Sequence, residues 1–376
     1  MQLTLECHCQ YKYNMSLTYC KVIHSGAVVS SDGNVYPCCA WRPSESDTKF
    51  KFTEMSKFLE SKQLSDFRRA LDSGVKLSQC SSCWQQEAIG VQSQREYYNQ
   101  NLTIDGNLNY IDLKLGNLCD LKCVMCHGSS SSQLMSEYIT HREKFIKLSS
   151  FKRYDTTVDY TWPESVEFKE FFEKIKTNLL EIKFTGGEPT LNPYLIDCLE
   201  SIVDKQKVTI SIVTNANRYN KKLATVLSKF KQVNFTISLE GIEKHNDMIR
   251  FNSDWERVCN NIVSYAELTN SSVAISHVIQ AFSVSTAIPL IQWVNQNNYH
   301  LHLVPLNGNM YLGLNSVPPD RISKFQDDLK SLNDVYAKQL LEELKNYKFN
   351  AEYYSQRLEH SKLLDDLRGT LLSSII

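Results

Sequence analysis

The sequence predicts an α/β protein built from parallel βαβ units. From residue 109 onward, short apolar or alternating runs are separated by stretches with helical spacing. Strands that alternate with helices are typical of a parallel sheet, because each crossover uses a helix to return to the same edge. The predicted strands are YIDLKL (110–115), LEIKF (180–184), VTISIV (208–213), VNFTIS (233–238), VAISHVI (273–279) and LHLVPL (301–306).

Helices are predicted between and after these strands. One runs from Tyr194 to Val203 after an Asn-Pro turn, and another runs from Trp255 to Leu268 with Ser253 or Asp254 as its N-cap. The stretch from Pro319 to Leu372 carries leucines at helical spacing, which predicts two helices. Residues 140–178 form an insertion between the first two strands, for which we expect a helix and a lid.

Composition narrows the class of protein. The chain has 376 residues and a net charge of -1, so it has room for one large domain and smaller ones but no basic excess for generic nucleic-acid binding. It has no apolar run of about 18 residues and no signal-peptide pattern at residue 1, so we expect a cytoplasmic protein without a membrane segment. Twelve cysteines, several in close pairs, favour metal or cluster binding over disulfides.

The spacing C-x3-C-x2-C directly follows the first predicted strand. It consists of Cys119, Cys123 and Cys126. Cysteine thiolates hold 4Fe-4S clusters, and three ligands on one loop saturate three of the four irons. The pattern therefore predicts a cluster with one iron open to a further ligand.

Three more polar motifs follow the next three strands: TGGEP (185–189), TNAN (214–217) and SLEG (238–241). In α/β barrels the active site forms at the carboxyl ends of the strands. Gly186 and Gly187 would let the backbone approach a ligand. Glu188 offers an anion for the ammonium of a zwitterionic amino acid group.

Together these motifs resemble the radical S-adenosylmethionine (radical SAM) superfamily over about residues 108–280. The resemblance implies a partial (β/α)6 TIM-like barrel. It also implies an oxidoreductase or related radical enzyme that cleaves S-adenosylmethionine reductively to methionine and a 5′-deoxyadenosyl radical, which abstracts a hydrogen atom from the substrate. An electron donor such as flavodoxin or ferredoxin is implied as a partner.

The resemblance also implies the site residues. The three cysteines would hold the reducing 4Fe-4S cluster, Glu188 would accept from the cofactor's amino group, and Met125 would pack near its adenine. Further cofactor contacts are implied for Gly186, Gly187, Asn215, Ser238, Glu240 and Arg250.

Several of these side chains have structural alternatives. The alternative for Asn215 is a residue that closes a turn. The alternative for Arg250, at the end of an H-x4-R arrangement that starts at His245, is a surface ion pair. His277 on the fifth strand either faces the barrel interior or is a hydrogen-bonded core histidine. Two further cysteines, Cys198 and Cys259, fall in helical patterns and are expected to be ordinary buried residues.

A second cysteine set lies in the first hundred residues. Cys20, Gly33 and Cys38 have the spacing C-x12-G-x4-C, and Cys80 and Cys83 form a later C-x2-C. This pattern resembles the auxiliary-cluster domain SPASM or its shorter form, twitch, although here it precedes the barrel. The resemblance implies an auxiliary 4Fe-4S cluster, and the spacing alone equally fits a zinc site.

Some features of this region stay open. Cys39 adjoins Cys38, so the fourth ligand is ambiguous, although the glycine spacing favours Cys38. Cys7 and Cys9 lie outside the pattern. We expect domains at 1–107 (auxiliary cluster), 108–310 (barrel) and 311–376 (helical). We also expect the first domain to be too small and polar to fold without its metal.

The substrate does not follow from the motifs. The sequence shows no recognisable leader-binding domain, which favours a small molecule such as a sugar or nucleotide. The alternative is modification of a ribosomally made peptide or protein. A rival from another class is a non-catalytic scaffold with a structural zinc site.

Overall fold

The computed structural model describes residues 16–88, 90, 92–102, 107–148, 151–306 and 309–376. Cys7 and Cys9 lie outside the described residues. The strands are β1 (Gly26–Val29), β2 (Asn34–Tyr36), β3 (Phe50–Lys51), β4 (Tyr110–Lys114), β5 (Lys122–Cys123), β6 (Glu181–Thr185), β7 (Thr209–Thr214), β8 (Gln232–Ser238), β9 (Arg250–Phe251), β10 (Ser271–Ile279) and β11 (His300–Pro305).

The helices surround these strands and connect most of them. They are α1 (Lys21–Ser25), α2 (Met55–Leu59), α3 (Lys62–Asp72), α4 (Ser81–Ala88), α5 (Gln94–Asn101), α6 (Ser132–Thr140), α7 (Arg142–Phe145), α8 (Val166–Ile175), α9 (Pro193–Ser201), α10 (Lys221–Leu227), α11 (Glu243–Ile249), α12 (Trp255–Ala266), α13 (Ser283–Gln296), α14 (Pro319–Leu332), α15 (Val335–Leu344) and α16 (Ala351–Arg368). None of the described helices is both long and apolar enough to cross a bilayer.

The main sheet confirms the predicted α/β class. Its strand order is β11-β10-β8-β7-β6-β4-β1-β2-β3, and every pairing from β11 to β1 is parallel. The six predicted strands are β4, β6, β7, β8, β10 and β11, each within two residues of its expected ends. These six parallel strands with their helices form the partial barrel.

The two faces of the sheet differ in polarity because successive side chains of a strand point to opposite faces. On β6, Ile182 and Phe184 are fully buried in the apolar core, as are Ile210 and Ile212 on β7. The alternate positions form the inner face of the partial barrel, and they are mostly polar. Examples in register across the sheet are Asp112, Lys183, Ser211, Asn234 and Ser272.

The N-terminal cysteine-rich region is part of the same sheet. Strand β1 pairs in parallel with β4, from Gly26 opposite Tyr110 to Val29 opposite Leu113. Phe52, Met55, Phe58, Leu64 and Leu71 of this region are buried in one core with the barrel. The sequence did not indicate this shared core: apolar side chains of the N-terminal region pack with those of the barrel, which adds to whatever a metal contributes there. That the region needs its metal to fold stays a prediction. The boundary at residue 107 stays a prediction.

The C-terminal segment contains three helices among its described residues, where the leucine spacing predicted two. Asn333 adopts a left-handed conformation (φ 47°) that ends α14, and the Asp334 carboxylate accepts from the backbone N–H of Tyr336 (2.7 Å) and so caps α15. Asn350 caps α16 in the same way through the N–H of Tyr353 (3.0 Å). These capping residues determine where one helix ends and the next begins, and the spacing of leucines does not predict such boundaries.

The other helix predictions are confirmed with small shifts. The first ends at Ser201 instead of Val203, and Asp254 is the N-cap of α12, since its carboxylate accepts from the N–H of Arg257 (3.0 Å). In the insertion at 140–178, α8 is the expected helix. Trp162 precedes it and donates from its indole nitrogen to the carbonyl of Ser31 (2.7 Å), which fixes the insertion against the N-terminal region.

The shared core predicts that the N-terminal region folds without its cysteine ligands. Cys80→Ser with Cys83→Ser should leave the β1 amides protected from hydrogen exchange, because β1 is held by β4 and by buried aromatic side chains. Phe58→Ala is the contrasting variant, expected to cost about 3–5 kcal/mol of unfolding free energy. If the double cysteine variant loses protection of the β1 amides, the N-terminal region depends on its metal for folding and this prediction is wrong.

Candidate active site

The three cysteines of the C-x3-C-x2-C motif lie together after β4. Cys119 and Cys123 are buried around Leu121, with Cys126 half-buried against them. Cys123 belongs to β5, and it lies opposite Arg250 in the short antiparallel ladder of β5 and β9. This ladder brings a guanidinium to the cysteine loop.

The thiols differ in acidity. Burial raises the pKa of Cys119 to about 12. The pKa of Cys123 is lowered to about 7, first because its sulfur accepts a hydrogen bond from the Cys126 thiol and further because Arg250 is close. A thiol that loses its proton easily is suited to metal ligation, since thiolates are the ligating form.

The two glycines of TGGEP allow the cysteine loop to approach. A Cβ on Gly187 would lie 2.2 Å from the carbonyl oxygen of Leu118, and Gly186 has a φ of 98°. The backbone N–H of Glu188 donates to the same Leu118 oxygen (2.7 Å). The sequence suggested that these glycines admit a ligand. In the structure Gly187 admits the backbone of residues 117–118, and Gly186 lies against Lys114 and Gly116.

The Glu188 carboxylate is buried and accepts hydrogen bonds from two motifs. Oε1 accepts from the backbone N–H and hydroxyl of Thr190 (3.1 and 2.6 Å) and from the hydroxyl of Thr214 (2.7 Å), while Oε2 accepts from the N–H of Asn215 (2.7 Å). Burial raises the pKa of Glu188 despite these donors. Oε2, with one protein donor, keeps room for another.

Asp120 is a site residue that the sequence did not reveal. It directly follows Cys119, and its carboxylate accepts from the side-chain amides of Asn215 (2.9 Å) and Asn217 (3.0 Å). Asn215 therefore connects the loop after β7 to the cysteine loop. This role goes beyond closing a local turn, which was its structural alternative. A signal was present, since Asp120 is the acidic residue inside the cysteine motif.

Glu240 and Arg250 form a buried charged pair. Nη1 of Arg250 lies 3.4 Å from Oε1 of Glu240, and the Nε of Arg250 has no partner in the described structure. Arg250 is 9% exposed, so the surface ion-pair interpretation is wrong. Burial raises the pKa of Glu240 to about 8. The backbone N–H of Val278 and the amide of Gln280 also donate to this carboxylate (3.1 and 3.2 Å).

His277 is the hydrogen-bonded core histidine. It is fully buried on the helix-covered face of the sheet, with Nε2 2.8 Å from the Ser283 hydroxyl and Nδ1 3.2 Å from the Leu239 carbonyl oxygen. Burial lowers its pKa to about 4, so it is neutral at pH 7. It lies outside the inner face.

The remaining predicted residues lie around these groups. Ser238 ends β8 on the inner face, and Met125 is half-buried between two apolar clusters beside the cysteines. Asn246, which the sequence did not indicate, accepts from the N–H of Glu240 (3.0 Å). His245 lies half-exposed on α11. Cys198 and Cys259 lie within α9 and α12; Cys198 is buried as expected, whereas Cys259 is half-buried.

The C-terminal helix is clamped to the cysteine loop. Arg368 of α16 makes a two-point ion pair with Glu137 of α6 (Nη2–Oε2 2.6 Å, Nε–Oε1 3.1 Å), and Lys122 lies 3.2 Å from the same carboxylate. The guanidinium of Arg368 and the ammonium of Lys122 also lie over the ring of Phe251. A small cavity lined by Cys126, Arg368 and neighbouring aromatic side chains separates α16 from the loop.

The second cysteine set also converges. Burial, followed by the charges of Cys39, Cys20, Cys80 and Cys83, raises the pKa of Cys38 well above its ordinary value, so these thiols are neighbours. Cys20 is the N-cap of α1. Helix α4 begins directly after Cys80, and Cys83 lies in its first turn. Helix N-termini stabilise thiolates.

Cys39 also lies near this set, since its charge raises the pKa of both Cys38 and Cys83. Its sulfur lies 3.8 Å from the Gln94 side-chain oxygen, and its charge acts on Lys183 of the inner face. The choice of Cys38 over Cys39 as the fourth ligand, with Cys20, Cys80 and Cys83, therefore stays a prediction from the glycine spacing.

Both cysteine sets suit iron–sulfur clusters in their donor chemistry. Each supplies buried or half-buried thiols, with Arg250 beside the first set and Arg95 beside the second to balance thiolate charge. The unpartnered Nε of Arg250 is a spare donor near the first set. In the described part of the chain, no group of three or more His, Cys, Asp and Glu side chains has the geometry of a single metal ion site.

Comparison with known families identifies the chain. Residues 113–282 match the radical SAM superfamily, and residues 20–84 match the iron-sulfur cluster-binding domain SPASM. The chain contains a radical SAM domain and an N-terminal SPASM domain. Radical SAM proteins are enzymes of radical chemistry, and the cofactors are S-adenosylmethionine and 4Fe-4S clusters. The SPASM match favours iron–sulfur over zinc at the N-terminal site.

Individual relatives are more distant. An uncharacterized protein of Methanocaldococcus jannaschii is 29% identical over 154 residues, which cover 39% of this chain and 43% of that protein. Among solved structures, anSMEcpe with bound AdoMet is 18% identical (TM-score 0.40, covering 70% of this chain and 67% of that chain). Streptococcus suis SuiB bound to precursor peptide SuiA is 14% identical (TM-score 0.38, covering 89% and 73%).

The four donors to Glu188 predict that Glu188→Gln destabilises the protein. A glutamine amide turns two of its own N–H groups toward donors, so the unfolding free energy should fall by about 1–3 kcal/mol, measured by urea denaturation. Thr190→Val removes one donor hydroxyl and should cost less. Equal stability of Glu188→Gln and wild type would mean that the carboxylate does not join the loops.

The clamp at Glu137 predicts acid-sensitive stability. Burial alone would raise the pKa of Glu137, but the bonds from Arg368 and Lys122 lower it below 4.5. The stabilisation is therefore complete above pH 4.5 and is lost as the pH falls through the lower folded-state pKa. Glu137→Gln should cost about 3–5 kcal/mol at pH 7, because Arg368 is left buried and unpaired.

Urea denaturation between pH 3 and pH 7 measures this effect. The difference between wild type and Glu137→Gln should shrink toward the acid end. Asp66→Asn is the control, since Asp66 pairs with Lys62 and Arg69 on the surface, where solvent screens the pairs and the substitution should change stability little. A pH-independent difference would rule out the ion pair as its source.

Proposed function

We propose that this chain cleaves S-adenosylmethionine reductively at a 4Fe-4S cluster held by Cys119, Cys123 and Cys126, and abstracts a hydrogen atom from an organic small molecule. The observation that carries the proposal is the convergence of these three thiols with Glu188 and Arg250 at the carboxyl ends of β4 to β8. When bound, the cluster and S-adenosylmethionine together supply the radical that abstracts hydrogen.

The chain's own residues would bind and orient the cofactor. Glu188 would accept from the cofactor's ammonium through Oε2, which has one protein donor. Asn215, Ser238 and Met125 would contact ribose and adenine. Arg250 would place positive charge beside the thiolates, and Glu240 would hold Arg250 in that position (3.4 Å).

We propose Cys20, Cys38, Cys80 and Cys83 as ligands of the auxiliary 4Fe-4S cluster. Four protein ligands leave no open iron, so this cluster would transfer electrons instead of binding substrate. It would take the electron left on the substrate radical, which makes the reaction a net oxidation. Flavodoxin or ferredoxin in the cytoplasm would supply electrons to the first cluster.

A ribosomally made peptide is the second candidate substrate. The observation in its favour is the open inner face from β8 to β11, where Ser272, His300 and His302 are exposed. A peptide side chain would enter the partial barrel across this side.

The ligand assignment predicts the iron content. Changing Cys119, Cys123 and Cys126 together to Ala should remove about four irons per chain and abolish formation of methionine and 5′-deoxyadenosine. Cys198→Ala, a buried cysteine on α9, is the matched control and should change neither quantity. The assays are iron determination and product chromatography after anaerobic reconstitution. Retained cleavage in the triple variant, or stoichiometric zinc in place of iron, would overturn the proposal.

A further inference from the structure

Two side chains on the inner face keep a polar atom without a hydrogen-bond partner in the described structure. Asp112 of β4 is 1% exposed; its Oδ1 accepts from the Thr185 hydroxyl (2.6 Å), but its buried Oδ2 has no hydrogen-bond partner in the described structure. A buried carboxylate oxygen without a donor costs free energy, so its presence calls for an explanation.

Lys183 of β6 is the second such group. It lies directly opposite Asp112 in the parallel register of β4 and β6, so both side chains project from the same face. Within the described ranges, its ammonium makes no hydrogen bond or ion pair. Burial alone would lower the pKa of Lys183, but the charges of Cys39, Asp112 and Glu181 raise it, so the side chain stays cationic at pH 7.

The position separates this pair from the proposed S-adenosylmethionine site. Lys183 precedes Gly186 by three residues, and Asp112 precedes Cys119 by seven, so both lie deeper in the partial barrel than the loops at the strand ends. The Cys39 side chain, from the region of the second cysteine set, is close enough to act on Lys183. The pair thus lies near the region of the second cysteine set.

An acceptor and a cation on adjacent strands match a ligand with the opposite arrangement of charge. A group that carries an ammonium next to a carboxylate can make charge-assisted hydrogen bonds to both Asp112 Oδ2 and the Lys183 ammonium. The free α-amino-acid group has this arrangement. A residue inside a peptide chain does not, because its nitrogen and carbonyl carbon are amides.

We propose that Asp112 and Lys183 form a substrate subsite for a free α-amino-acid group, with its ammonium on Asp112 Oδ2 and its carboxylate on Lys183. The proposal rests on the proposed function and specifies its substrate: an amino acid, or a small molecule that carries an unblocked amino acid group. Thr185 holds Asp112 in place through its hydroxyl (2.6 Å).

The test is a binding screen on the anaerobically reconstituted holoenzyme with S-adenosylmethionine present. The probes are the twenty L-amino acids, read by thermal shift and then by calorimetry. We expect at least one to bind, and its N-acetyl and methyl-ester derivatives to bind at least about tenfold more weakly. Asp112→Asn and Lys183→Met should each cause a similar loss, whereas Thr209→Ala, on the same face and away from the pair, should not.

The outcomes are distinguishable. Binding that survives both substitutions and both derivatives, or no binding of any amino acid to the wild type, overturns the subsite. If a variant does not fold by circular dichroism, the derivatives on wild-type protein decide. Formation of 5′-deoxyadenosine is measured in the same samples: its absence from the wild type overturns the proposed function, while its presence without amino acid binding overturns the subsite alone.

Discussion

The buried carboxylate of Glu188 holds the ends of β6 and β7 and the cysteine loop in one arrangement. Its oxygens accept from Thr190, Thr214 and Asn215, and its N–H donates to the carbonyl of Leu118. A carboxylate accepts from several donors at once, and that capacity lets one side chain join loops distant in sequence. Because Asn215 donates in turn to Asp120, displacement of any one loop would break bonds in the other two.

The sequence predicted the parallel strands and singled out the cysteines that cluster after β4, because strand period and thiol spacing are local properties. It did not predict the polar contacts between loops. Asp120 and Arg368 act through partners far along the chain, and nothing in their immediate neighbours signals those partners. Arg250 was recognisable as a motif residue, but its burial depends on β5 and β9 pairing, two strands too short for a period to appear.

The N-terminal SPASM region shows the same limit on a larger scale. Its composition suggested a polar module held by metal. The pairing of β1 with β4 was not visible in the sequence, because β1 is only four residues long and β4 begins more than eighty residues later. Once paired, β1 makes the sheet continuous from the region of the second cysteine set to the strand that leads into the first. Hydrogen-bonded strands are stiff relative to loops. The separation between the two cysteine sets is therefore fixed by the sheet and does not depend on a linker.

The charge around the cysteine loop comes from beyond the motif. Arg250 and Arg368 each act on Cys123, and each is anchored by its own carboxylate, Glu240 or Glu137. Both guanidinium groups also keep a buried nitrogen without a partner in the described structure. A guanidinium presents its donors in a rigid plane, so a carboxylate that fixes one edge also aims the other. Arg368 lies outside the residues that match the superfamily, so the C-terminal helix adds to the electrostatics of the cysteine loop a charge that the shared motif does not supply.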